Sequence, residues 1–90
     1  MMHATIDYGD AEANLWGDFT EETVEEFFYR HANQCFGIRK SIFSFTLLEI
    51  EPSPLPSPWD RFEGAAAVLR HSGDTIVWNA AGEKIKSEWE

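Results

Sequence analysis

The sequence predicts an α+β fold: a mostly antiparallel sheet of about five strands with one amphipathic helix packed on one face. Three observations lead there. Val24, Phe27, Phe28, His31 and Cys35 recur at i, i+3, i+4, i+7 and i+11, a single apolar helical stripe. Segments 65–71, 75–79 and 83–89 read as short strands separated by tight-turn signatures. Residues 41–51 are rich in Ile, Phe and Leu, as a buried strand requires.

Taken in order, His3–Tyr8 reads as a first strand, because Ala4, Ile6 and Tyr8 alternate with Thr5 and Asp7. Residues 9–18 read as an irregular acidic connection. Thr20 then suits a helix N-cap, with Phe19 and Val24 at the hydrophobic-staple positions on either side. Glu21, Glu22, Glu25, Glu26, Tyr29 and Arg30 lie off the apolar stripe, and Gly37 is a natural stop. Ser41–Glu51 carries apolar side chains on both faces, which predicts a central strand or one whose second face meets a partner. Proline at 52, 54, 56 and 58 excludes helix and paired strand there, so a stiff polyproline-like surface loop follows, ending at Trp59.

The C-terminal third predicts a meander. Ser72-Gly73 is a two-residue hairpin loop, and Asn79-Ala80-Ala81-Gly82 has the form of a type I turn closed by a left-handed glycine. These registers place Val68, Val77 and Ile85 on one face and Leu69, Ile76 and Trp78 on the other. A single helix covers one face only, so the expectation is that Val68, Val77 and Ile85 meet the helix. Leu69, Ile76 and Trp78 would then form an apolar interface, and Trp59, bordering the proline-rich loop, is a further candidate apolar partner contact.

Residues 1–90 make one small domain; an apolar fraction of 43% excludes a disordered chain. One cysteine excludes an intrachain disulfide and fits a reducing compartment. The longest apolar run is 65–69, and the N-terminus has no signal-like stretch, so the expected setting is the cytoplasm, without a membrane span.

The charge pattern carries the functional expectation. Formal net charge is −9, and the first 29 residues hold eight carboxylates and no Lys or Arg. Glu21/Glu25 and Glu22/Glu26 are like-charge i,i+4 pairs, each costing ~0.2–0.5 kcal/mol. The helix dipole offsets part of that cost. The bland reading is a solvated helix face. The functional reading is that Asp10, Glu12, Asp18, Glu21, Glu22, Glu25 and Glu26 form an array that attracts a basic protein and repels nucleic acid and anionic membrane.

Other constellations are weaker. Asp10, Glu12, Asn14, Trp16, Asp18 and Glu21 stand at EF-hand spacing, but Leu15 occupies the obligate glycine position and no entering helix precedes them. His31 and Cys35 lie one turn apart on the core stripe; a buried pair is the simpler reading than a zinc or nucleophile site. Tyr8-Gly9-Asp10 followed by Leu15-Trp16 resembles the spacing in the binding helix of barstar, an acidic ribonuclease inhibitor. Gly17 interrupts the match and the strand–helix order around it departs from barstar's, so no family is assigned. There is no Gly-rich phosphate loop, Gly-x-Ser-x-Gly, His-Glu-x-x-His or Cys-x-x-Cys.

The expected function is therefore a cofactor-free, non-enzymatic inhibitor that occludes a basic, nucleic-acid-binding surface of a partner protein. Phage anti-defence proteins, anti-CRISPR proteins among them, and nuclease-immunity proteins use this strategy. The alternatives are a homodimeric accessory subunit joined through its open sheet face, and a calcium-binding module.

Overall fold

The computed structural model describes residues 1–9, 11–36, 44–55, 59–62, 64–71 and 73–89; the side chains of 35, 36, 61 and 86–89 lie outside the description. The strands are β1 (Met2–Asp7), β2 (Glu12–Gly17), β3 (Thr46–Pro52), β4 (Ala65–His71), β5 (Asp74–Asn79) and β6 (Lys84–Trp89), and the helix is α1 (Val24–Phe36). All pairings are antiparallel, in the order β3-β1-β2-β4-β5-β6. The α+β class stands, with a sixth strand where about five were expected.

The additional strand is β2. It lies in the stretch read as an irregular connection, and it is central, paired with β1 and β4. Ala13 and Leu15 are fully buried on its helix side, alternating with Glu12, Asn14 and Trp16. The alternation is short, its first apolar member is only alanine, and flanking carboxylates dilute it. The Tyr8 N–H donates to the Ala11 carbonyl at 3.0 Å, closing the turn that returns β2 along β1.

The strand at 46–52 is an edge rather than a central strand; 41–43 lie outside the described residues. Its register against β1 slips between Thr5, opposite Glu49, and Ile6, opposite Leu47, leaving Leu48 as the extra residue of a bulge. The bulge lets Leu47 and Ile50 both pack against the helix-side core, while Leu48 is 51% exposed. A run that looked apolar on both faces is therefore a strand with one buried face and a kink.

The helix is led in by a turn over 21–23. The Thr20 carbonyl accepts from Val24 N at 2.9 Å, and Thr20 N donates back to Thr23 Oγ1 at 2.9 Å, so Thr23 fills the reciprocal capping role usually taken by Glu or Gln. Phe19 and Val24 are both buried in the core, as the staple requires. Val24, Phe28, His31 and Ala32 face the sheet and are buried. Gly17 lets the helix come close: a Cβ there would collide with the Phe27 ring and stand 3.0 Å from the Ala66 carbonyl oxygen.

The face assignment of the meander is the reverse of the expected one. The groupings hold, since Val68 pairs with Val77 and Leu69 with Ile76. It is Leu69, Ile76 and Trp78, however, that lie under α1 with Ala4, Ile6, Leu15 and Phe28. Val68 and Val77 lie on the opposite face and are themselves fully buried, with Trp16 and Trp59. Topology supplies the reason. β3 sits beside β1 while β4 sits beside β2, and the described residues of the connection between β3 and β4 pack on the face away from the helix. That connection carries Leu55, a 3-10 turn at Trp59–Arg61, and Phe62, and it seals Val68 and Val77. Trp59, expected as an apolar partner contact, is 5% exposed and belongs to this second cluster. Leu69, Ile76, Trp78 and Trp59 are thus core residues, and the apolar face proposed for a dimer is covered by the chain's own helix.

The 79–82 turn is as expected; Ser72 of the other meander turn lies outside the described residues. Gly82 has a φ of 84°, its N–H donates to the Asn79 carbonyl at 3.0 Å, and Asn79 Oδ1 accepts from Ala81 N (3.0 Å) and Glu83 N (2.8 Å). Among the described residues no helix is long and apolar enough to cross a membrane.

Candidate partner-binding surface

The fold divides the acidic array that the sequence groups together. Asp18, Glu21, Glu22 and Glu26 are exposed around the start of α1, and Glu25 is half-buried beside them. Glu12 is on the other side of the sheet, because it alternates with the helix-facing Ala13. Asp10 lies outside the described residues. The residues at calcium-loop spacing run through β2 and on to the helix start rather than round one loop. Among the described residues no group of three or more His, Cys, Asp or Glu is placed to hold a metal ion.

At the helix start, repulsion is relieved in part by Arg30, whose Nη2 stands 3.4 Å from Glu26 Oε1, both side chains largely exposed. In water this pair adds little to stability. Glu25 raises the Tyr29 hydroxyl pKa, second to the effect of burial. No basic residue stands in the last turn of α1, so its one described cation lies mid-helix.

Beside this acidic start, a groove of about 350 Å³ opens between α1 and the 79–82 turn. Phe27, Arg30, His31 and Gln34 form its helix wall, and Asp18 stands at its edge. A smaller hollow next to it shares Asp18, Phe27 and Arg30 and adds Glu26. The Phe27 ring makes tilted contacts with Phe19 and His31, with centroids 5.0 and 4.5 Å away, and His31 lies 5.9 Å from Trp78. His31 is 5% exposed; burial, and then the Arg30 charge, hold its pKa below the usual value. The Cys35 side chain, its predicted neighbour on the stripe, is outside the description.

That depressed pKa has a measurable consequence. The unfolded chain takes up a proton near pH 6.5, whereas the folded chain resists until lower pH. Stability is therefore complete above pH 6.5 and declines as pH falls from there toward the folded-state value. His71 acts in the same direction, burial outweighing the opposing Asp74 charge. The urea midpoint is expected to be lower at pH 5.5 than at pH 7.5, and His31→Gln to flatten the difference. An identical slope in that variant would remove His31 from the account.

The opposite sheet face carries a polar cluster that sequence reasoning missed. Asn14 Oδ1 accepts from Thr5 Oγ1 at 3.3 Å and stands 3.0 Å from His3 Nε2. His3 Nδ1 is 3.6 Å from Glu51 Oε1, and its ring stacks on Trp16 at 4.4 Å. Glu49 and Glu12 are exposed nearby in the register, opposite Thr5 and Asp7. The only signal in the sequence was alternation within each strand; the cluster exists because β1 lies between β2 and β3. The chain thus presents carboxylates on both sides of the sheet; the groove of about 350 Å³ adjoins those at the helix start, and smaller hollows lie beside Glu12. Compared with family models, curated proteins and solved structures, the chain matches none of them.

Proposed function

We propose that this chain is a small acidic binding protein that acts without catalysis, occupying a basic, nucleic-acid-binding surface of a partner protein and so occluding it. The observation that carries this reading is the helix start, where Asp18, Glu21, Glu22 and Glu26 are all exposed, and where Asp18 and Glu26 line adjoining hollows. Packing does not require those carboxylates, and their mutual repulsion opposes the helix that carries them. A surface of that sign steers a cationic partner and disfavours nucleic acid itself. Inhibitors of the phage anti-defence and nuclease-immunity types work in this physical manner, and the resemblance is one of strategy.

The test is affinity capture from the source cell at low and at high salt. The expected result is a basic protein retained at low salt and released at high salt, whose nucleic-acid binding is lost when this chain is added in stoichiometric amount. Capture of no basic protein, or of one whose nucleic-acid binding is unaffected, would defeat the proposal.

A further inference from the structure

The groove beside the acidic helix start has a shape and a charge balance that specify more than a cationic partner in general. Phe27, Arg30, His31 and Gln34 stand at i, i+3, i+4 and i+7, so one helix face forms a whole wall. Among the described residues the facing wall is formed by Ala66, Asn79, Ala80, Ala81 and Gly82. The volume, about 350 Å³, lies at the small end of the range for ligand sites. Its size suits one long side chain rather than a segment of chain.

The charges select that side chain. Arg30, the cation of the wall, is already engaged by Glu26 at 3.4 Å. Asp18 is exposed at the edge and makes no ion pair among the described residues. His31, buried in the wall, favours its neutral form and adds no opposing charge. The half-buried Phe27 ring lines both hollows. A groove lined by an aromatic ring and an exposed carboxylate suits a planar cation that stacks and donates two parallel hydrogen bonds. A guanidinium does both and sheds water more readily than an ammonium.

We propose that this groove is the anchor site for an arginine side chain of the basic partner, an inference that rests on the binding-protein reading above. The guanidinium stacks on Phe27 and pairs with Asp18, while the Ala81 side of the groove takes the aliphatic stem.

The probe is N-acetyl-arginine amide, titrated into the full chain labelled with ¹⁵N. Amide shifts are expected to concentrate at Phe27, Ala66, Ala81 and Gly82 and to saturate in the millimolar range, with N-acetyl-lysine amide weaker. Asp18→Asn removes the charge-assisted pair and is expected to weaken arginine binding ~10-fold. Ala81→Trp, at an exposed turn position, fills the groove without changing charge and is expected to abolish the saturable shifts. Shifts spread evenly over the acidic surface without saturation, or unaffected by Ala81→Trp, would overturn the anchor. The two proposals fail separately. If Ala81→Trp leaves partner capture intact while charge reversal at the helix start abolishes it, the anchor is wrong and the binding-protein reading survives. If the arginine probe binds in the groove but no basic protein is captured, the parent reading fails and the groove remains an arginine site.

Discussion

Trp78→Ala is expected to destabilise the fold by ~3–5 kcal/mol, the usual range for removing a buried tryptophan. Trp78 is 2% exposed, lies on the helix side of β5, and packs in one cluster with Leu69, Ile76, Phe28 and Ala32. A 90-residue domain has a total stability of roughly 5–13 kcal/mol, so this one truncation removes a large share of it. Trp78→Glu adds an unpaired buried carboxylate and is expected to leave the chain unfolded at room temperature. Urea denaturation followed by circular dichroism reads both. A Trp78→Ala variant with an unaltered midpoint and weakened association would return the residue to an interface and contradict the packing.

The second large effect concerns association. Reversal of Glu21, Glu22 and Glu26 to Lys takes the formal charge from −9 to −3, since each reversal adds two positive units. All three side chains are exposed, so the fold is expected to persist. Glu25 is left alone because it is half-buried and interacts with Tyr29. Association with the captured basic partner is expected to slow by ~10-fold or more at low salt, with a flatter salt dependence. The control is reversal of Glu12, Glu49 and Glu51, which produces the same net charge from the other sheet face. Equal slowing in both variants would mean that net charge acts without a located surface. No slowing in either would remove electrostatics from the mechanism.

Much of the local structure was legible in the sequence because its signals are short-range. The stripe from Val24 to His31 needs only the helical repeat. The turn at 79–82 needs only a glycine free to take positive φ and an Asn79 side chain that accepts from the backbone N–H groups of Ala81 and Glu83. The exposure of Asp18, Glu21, Glu22 and Glu26 follows from their place off the stripe and before it. β2 was missed because two small steps of alternation, Ala13 and Leu15, compete with acids that look like loop. The groove had no signal at all, since Ala66, Ala81 and Gly82 meet Phe27 and Gln34 only through packing.

Strand periodicity alone groups the residues of each sheet face: Val68 with Val77, and Leu69 with Ile76 and Trp78. Side chains alternate along a strand whatever surrounds it, so this grouping is a local property. Which group meets the helix is a property of the assembled fold. Alternation is symmetric under exchange of the two faces, and the symmetry is broken by non-local pairing. β3 docks beside β1 and β4 beside β2, α1 packs on one face, and the connection through Trp59 packs on the other. The same pairing put Glu12 on the far side of the sheet from Asp18 and brought His3, Asn14 and Glu51 together. Strand order is a competition among long-range contacts, each weighing loop-closure entropy against burial, and no window of neighbouring residues contains its outcome.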